Sequence, residues 1–530
     1  MKPPSKMSPG IEGFYPSGSL THGLSMASGI GISDRVDGDK KDSEPIFCVL
    51  GDTELQGGQI WETAVQISFH KLTNIIAFVD DNGMGNDYET AKTLDIGDIE
   101  SRFSSCGWQV AVVKNGHDVN DLMSAINNKN KNLPLVVIAK TIKGKGISFM
   151  ENDNIWHGLG PNDEQFIEAY EELDAEKHII DEIIELKKNR IASLPLQVFP
   201  REKTLRDSAA DALLERMKVD ERIVVIAPEL AESTRAGKLS RAFPKRVFNL
   251  GVQEPNAMDI VAGLAFSGKI PVIITFTNFV LLRTVDQIFQ NIAPFCENAL
   301  IVGTHDGFME DGMSVTPYNH FAISRSFYKS KVFCPADYYE SKNLTNVALD
   351  NGGYSFIFNS RENMPVIYDE NIVPRIGIAK IFNPSKNFWS CRIENNDWSE
   401  NIGGDMNIMV AGAPFVWIAK EVAKELYVKN NISISVINFS SLKPIDEEVI
   451  KKGLKKTRYN LVIEKHSPYG GLFSIISEVS VSQASTLKFN LLQYMKNEWV
   501  GQSGTPDQLL TEYGFDKDSI KKFILNIMKK

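Results

Sequence analysis

This sequence predicts three consecutive α/β domains with mostly parallel sheets, and three observations carry the prediction. Short apolar runs alternate with helix-spaced segments along the chain, the mark of strands joined by crossover helices. At 530 residues the chain exceeds a single core, and domains of ~100–200 residues suggest about three. Two polar stretches divide the pattern. One is residues 187–201, with Pro195 and Pro200; the other is residues 382–404, with several Asn, Ser and Trp.

In the first block, residues 1–192, the runs 45–50, 74–79, 109–113 and 135–139 are short and apolar on both faces, as in a parallel sheet covered on both sides. Between the first two, residues 58–72 place Ile60, Trp61, Ala64, Val65, Ile67 and Leu72 at helical spacing. The second block, 200–372, repeats the pattern with candidate strands at 223–227, 247–250, 272–276 and 300–303. Its most apolar stretch, 257–282, is broken by Asp259, Ser267 and Lys269 and reads as helix, turn and buried strand. A membrane span would need ~20 apolar residues without such breaks. The third block, 403–530, opens with a strand near 407–412 and continues with strands near 432–438 and 460–463.

Composition narrows the function. A net charge of −10 argues against nucleic acid, which selects basic surfaces, while leaving room for an anionic substrate in a locally basic cleft. Five scattered cysteines (Cys48, Cys106, Cys296, Cys334 and Cys391) form no C-x-x-C pair; they suggest neither a disulfide framework nor a zinc site, and fit the cytoplasm. The first residues have no signal-peptide core.

Two candidate strands end in Gly51-Asp52 and Asp81-Asn82. In open α/β sheets ligands bind outside the carboxyl ends of strands. The Asp52 carboxylate, the Asn82 amide oxygen and the Met84 carbonyl would give Mg²⁺ three oxygens, with a diphosphate giving more. Gly-Asp and Asp-Asn are also ordinary turn formers after strands, so the pair alone leaves both readings open.

The wider context is more specific. Gly51-Asp52-Thr53-Glu54-Leu55, Trp61-Glu62-Thr63-Ala64 and Asp80-Asp81-Asn82 resemble the diphosphate motif of thiamine enzymes, in the form found in the transketolase family. The resemblance runs on through Gly116-His117-Asp118, Lys143-Gly144-Lys145-Gly146 and Trp156-His157-Gly158. Upstream, Ser17-Gly18-Ser19-Leu20-Thr21-His22-Gly23 resembles the family's glycine-rich loop beside the cofactor. In the second block, Gly251-Val252-Gln253-Glu254-Pro255 and Thr275-Phe276-Thr277-Asn278-Phe279, continued by Arg283, resemble the family's pyrimidine-binding domain.

The resemblance implies two thiamine-diphosphate-binding folds and a transketolase C-terminal-like domain. It implies thiamine diphosphate with Mg²⁺ (or Ca²⁺ or Mn²⁺), held by Asp52, Asn82 and Met84, with Ser19, Leu20, Gly51 and Glu62 on the diphosphate side and Phe276 and Phe279 walling the ring. Glu254 would contact the aminopyrimidine, where an apolar, aromatic-lined pocket favours proton sharing. Arg206, Ser233 and Arg361 would take the phosphate of a sugar phosphate; His305 and Asp311 would contact the donor sugar, and His157 would lie near the reacting centre. The family places Glu254 and the diphosphate on different subunits, implying a homodimer with active sites at the interface.

Four departures bear on substrate and coupling. The family's N-terminal stretch of roughly a hundred residues, the size of a small domain, has no counterpart here, so the expectation is that the chain is truncated, that a partner supplies the segment, or that the site works without it. Thr53 replaces the last glycine of Gly-Asp-Gly. Gly57 stands where many relatives carry a relay glutamate, and Val315 where they carry a phosphate-binding histidine that the nearby His320 would have to replace. The implied activity is transfer of a two-carbon ketol unit from a ketose phosphate to an aldose. The alternatives are a thiamine-dependent enzyme acting on 2-oxo acids, such as a deoxyxylulose-phosphate synthase-like protein, and a non-catalytic or partner-dependent homologue.

Overall fold

The structure, a computed structural model, describes residues 19–36, 44–192, 198–308, 312, 314–383, 402–467, 469–481, 490–493 and 504–529, with the side chains of 187–192, 491 and 493 left aside. The chain divides into two compact units. One comprises residues 1–193 with 228–230 and 249–253; the other comprises 194–227, 231–248 and 254–530.

In the first unit, β1 (Ile46–Gly51), β2 (Ile75–Asp81), β3 (Gln109–Val113) and β4 (Leu135–Lys140) form a parallel sheet in the order β1-β2-β4-β3. Helices α1 (His22–Val36), α2 (Gly58–Phe69), α3 (Thr90–Thr93), α4 (Ile99–Ser105) and α5 (Val119–Asn127) accompany it. One core gathers Leu24 of α1, Ile60, Ala64 and Ile67 of α2, Phe103 of α4, and Leu50, Val79 and Trp108. The Trp108 indole N–H also donates to the Ala64 carbonyl at 2.9 Å. The helix expected over 58–72 ends at Phe69, and the turn beyond it takes Lys71 to a φ of 52°.

A smaller core packs Leu122 and Ile126 of α5 on Ile76, Val113, Leu135 and Val137. This cover does not reach β1, where Phe47 is 54% and Val49 73% exposed. Apolar residues on both faces of this edge strand thus leave Phe47 and Val49 exposed. Burying such a side chain contributes about 1.5–3 kcal/mol, which Phe47 and Val49 forgo.

In the second unit the strands are β5 (Lys203–Thr204), β6 (Ile223–Ala227), β7 (Val247–Asn249), β8 (Ile270–Phe276), β9 (Asn298–Asp306), β10 (Lys331–Phe333), β11 (Gly353–Ser360), β12 (Asn363–Met364), β13 (Lys380–Phe382), β14 (Met406–Val410), β15 (Ile434–Asn438), β16 (Ser441–Lys443), β17 (Tyr459–Ile463) and β18 (Asn490–Gln493). They build a seven-stranded sheet, β16-β10-β11-β9-β8-β6-β7, a five-stranded sheet, β13-β15-β14-β17-β18, and the β5–β12 ribbon. Pairing is parallel from β10 through β11, β9 and β8 to β6; β16 joins β10 antiparallel, as β13 joins β15. The stretch 257–282 is the helix Glu254–Phe266, fully buried β8 and the short helix Thr277–Leu282. Among the described residues no helix is long and apolar enough to cross a membrane.

Candidate cofactor and substrate site

The first half of the site stands at the carboxyl ends of β1 and β2, where pairing sets Gly51 beside Asp80. Asp52 is buried and caps the turn Thr53–Gln56, accepting from the Thr53 N–H at 2.6 Å through Oδ1. Its Oδ2 accepts from the Gly83 N–H at 2.6 Å. Gly83 has a φ of 74°, a conformation that favours glycine and turns the chain back toward β1. Asn82 Oδ1 accepts from the Met84 N–H at 2.9 Å, and its amide donates to Asp80. Burial pushes the Asp52 carboxyl above its ordinary range, against the N–H donations of Gly83 and Thr53.

The donor chemistry fits a divalent cation shared with a diphosphate. Asp52, Asn82 and the Met84 carbonyl offer only oxygens, and Asp52 Oδ2 and Asn82 Oδ1, each accepting one N–H, keep a further lone pair. Among the described residues no cluster of three or more His, Cys, Asp or Glu would hold a metal alone. A single carboxylate suits an ion whose shell is completed by phosphate oxygens. Lys143 Nζ lies 3.5 Å from the Gly85 carbonyl and 2.8 Å from His157 Nδ1. Burial lowers the Lys143 pKa, against the charges of Asp52 and Asp80. Burial and then the Lys143 cation hold His157 below its usual value, so its Nδ1 lone pair is available to accept from the ammonium.

Two sequence departures find physical reasons here. Thr53 sits in the turn capped by Asp52 and is absent from the positive-φ residues, so no glycine is required. A Cβ at Gly57 would stand 2.3 Å from Thr21 Cγ2, so a glutamate cannot occupy that position with Thr21 where it is. Glu54, buried, accepts from the Thr21 N–H at 2.5 Å and the Gly51 N–H at 3.2 Å, tying the segment after Ser19 and Leu20 to the end of β1. Glu62 is exposed on α2.

The second half lies in the second unit. Phe276 and Phe279 stack with centroids 5.4 Å apart, and the His305 ring approaches Phe276 at 3.7 Å. Glu254, 4% exposed, accepts from Arg283 at 2.7 Å, and the guanidinium lies 4.4 Å from the Phe279 ring. A cation therefore shares the aromatic-lined pocket with the carboxylate. Sequence reading placed Arg283 in the motif without seeing this pairing.

The charges of Arg235 and Arg361 both act on Arg206, and Arg235 is not among the residues the sequence motif singles out. Arg206 donates to the Ser233 carbonyl at 2.8 Å, so Ser233 meets this group through its backbone. Burial first, then Arg235 and Arg361, bring the Arg206 pKa down to about 10. Arg235 has a φ of 72° and its Nε lies 3.1 Å from Asp207. Burial, followed by Arg361, Arg206 and Arg235, holds His305 well below its usual value, so its imidazole is neutral near pH 7. Val315 is buried, and His320 Nε2 lies 3.2 Å from Asp306 Oδ1. Asp311 lies outside the described residues.

An all-oxygen donor set at strand ends and a buried glutamate beside two stacked aromatic rings, on parallel α/β folds, are the chemistry a thiamine-diphosphate-binding protein needs. Family models agree: residues 2–192 match the transketolase thiamine diphosphate binding domain, 201–366 its pyrimidine binding domain and 401–520 its C-terminal domain. The chain is 28% identical to human transketolase over 530 residues, covering 97% of this chain and 80% of that protein. It is 33% identical over 335 residues to a Methanocaldococcus jannaschii protein described as a putative transketolase C-terminal section, covering 62% of this chain and 97% of that one. A solved structure described as a split gene transketolase, an inactive beta4 tetramer, aligns with a TM-score of 0.52 and 27% identity, over 61% of this chain and 98% of that one. The chain belongs to the transketolase family.

Proposed function

We propose that this chain transfers a two-carbon ketol unit from a ketose phosphate donor to an aldose acceptor. The observation that carries the reading is the grouping of Glu254–Arg283, the Phe276–Phe279 wall, a neutral His305 and the guanidiniums of Arg206, Arg235 and Arg361 within one unit. When bound, thiamine diphosphate supplies a nucleophilic carbanion equivalent able to cleave the bond beside a ketose carbonyl. Asp52, Asn82 and the Met84 carbonyl would hold Mg²⁺, with Ser19, Leu20, Gly51 and Glu62 lining the diphosphate side. Glu254 would hold a proton on the pyrimidine ring. His305 and His157 would orient hydroxyls and exchange protons with them, Asp311 would contact the donor, and the guanidiniums beside Ser233 would bind the phosphate.

A homodimer is part of this reading. Exposed Val65 and Phe69 near Glu62 on α2, and exposed Leu282, Val285 and Phe289 around Arg283, support a second copy covering both half-sites. Large apolar side chains left exposed are a common feature of interfaces. The blocks 1–192, 200–372 and 403–530 are our reading of the domains, and the cytoplasm our reading of the location. A partner-dependent homologue is the second reading, favoured by the exposure of Phe47 and Val49 on β1 and by Val315 in place of the histidine.

Calorimetric titration with thiamine diphosphate, with and without Mg²⁺, tests the cofactor half of this proposal. The expected result is metal-dependent binding that disappears in Asp52→Ala. Assays with ketose phosphates and aldehyde acceptors test the other half. Turnover supports the transferase, release of CO₂ from pyruvate favours the 2-oxo-acid alternative, and cofactor binding without any turnover favours dependence on a partner.

A further inference from the structure

The segment carrying His305 leaves its strand abruptly. The β9–β11 register shifts between Phe358 and Ser360, and His305 takes a φ of 61° with Gly307 at 120°. A left-handed residue other than glycine is strained and persists only where its surroundings over-determine it. Three contacts do so here. The Ser360 hydroxyl donates to the Asp306 carbonyl at 2.8 Å, and His320 Nε2 lies 3.2 Å from the Asp306 carboxylate. The third is the Lys465 ammonium, which donates to the Gly307 carbonyl.

Lys465 follows β17 of the five-stranded sheet, 158 positions along the chain from Gly307, and is 4% exposed. Its ammonium lies 5.4 Å from the Phe308 ring centroid and faces the Asp306 charge, so its contacts fall on three consecutive residues. Burying a lysine this completely is costly unless it is paired, and burial brings the Lys465 pKa down to about 7 against the opposing charge of Asp306. Burial pushes Asp306 up, but His320 and Lys465 outweigh it and hold the carboxyl below its ordinary range, so a negative charge faces the lysine.

We propose that Lys465 is a positioning residue for His305: it pins the turn of residues 305–307 so that the imidazole stays against Phe276. The third block thereby sets the geometry of a site whose substrate contacts lie in the second. The kinetic part of this proposal rests on the transferase reading above; the structural part does not.

The test compares wild type with Lys465→Met and Lys465→Arg by backbone hydrogen exchange, thiamine diphosphate titration and ketose turnover. In Lys465→Met, exchange over residues 304–308 should rise about tenfold or more while β8 is unchanged, as for a local opening. Its kcat should fall roughly 10- to 100-fold, the cost of a misplaced group, with cofactor affinity retained and Lys465→Arg restoring most of the loss. Unchanged exchange at 304–308, or a rise spread through the second unit, would overturn the proposal, as would loss of turnover that arginine does not restore. If wild type turns over no ketose the transferase reading fails, and the exchange measurement still decides whether Lys465 holds the turn. Should the Met variant not fold, Lys465→Gln, which keeps a donor without the charge, is read in the same way.

Discussion

Gly57→Ala is the smallest change that probes how the first half-site is held. Its Cβ would stand 2.3 Å from Thr21 Cγ2, where contacting carbons prefer about 3.5–4.0 Å. Thr21 is poorly placed to yield: its φ is 76°, its N–H donates to Glu54, and its hydroxyl donates to Gln59 at 3.3 Å. Overpacking against a neighbour held in this way costs about 1–3 kcal/mol. The strain falls on Ser19 and Leu20, just before Thr21, so thiamine diphosphate affinity should drop about 5- to 150-fold, at 1.4 kcal/mol per decade. The assay is calorimetric titration of wild type, Gly57→Ala, Thr21→Ser and the double variant. Thr21→Ser removes Cγ2 and should restore all but a few tenths of a kcal/mol. Unchanged affinity in the single variant would refute the link to the site. Lost affinity without rescue would refute the contact.

Arg283→Met leaves Glu254 buried without its cation and should destabilise the second unit by about 3–5 kcal/mol, read as a lower urea midpoint; adding Glu254→Gln should recover part of that loss. Arg235→Met should raise KM for phosphorylated donors about tenfold or more, the worth of a charge-assisted hydrogen bond, while kcat and unphosphorylated ketoses are little affected. Burial, aided by His320, brings the His466 pKa from 6.5 down to about 3. A histidine depressed on folding contributes stability above its unfolded pKa, and that stability is lost as pH falls through the window from 6.5 to about 3. His466→Asn should therefore flatten the acid limb of stability against pH, by roughly 2 kcal/mol at pH 5, measured by urea unfolding at several pH values.

Much of this architecture is legible residue by residue. Asp52 and Asn82 follow apolar runs, and the pairing of β1 with β2 sets Gly51 beside Asp80. The strands at 109–113 and 223–227 match because continuous β-branched runs bounded by polar residues leave few alternatives. β11 escapes such a reading because Ser355, Asn359 and Ser360 interrupt its apolar pattern; these side chains are buried, and Asn359 accepts from the Ser341 hydroxyl at 2.8 Å. Arg235 escapes for another reason. It lies 29 positions from Arg206 and 126 from Arg361 in the numbering, and nothing local distinguishes a cation that meets others through tertiary folding. Motif resemblance carries the Glu254 position, but the Arg283 pairing depends on how the helix Thr277–Leu282 ends.

The pairing of β16 with β10 determines where the chain tolerates being cut. The seven-stranded sheet takes its last strand from beyond residue 440, and Glu340 receives the Lys380 ammonium and, at 3.2 Å, the Asn438 amide. A fragment stopping before Lys380 would leave β10 as a raw edge and Glu340 as an unneutralised buried charge, both invitations to aggregate. Two fragments split between residues 383 and 402 would each carry half of that seam, and they should be soluble together and insoluble apart. For expression trials, fusion tags and protease mapping, residues 198–530 are therefore the smallest piece of the second unit worth making.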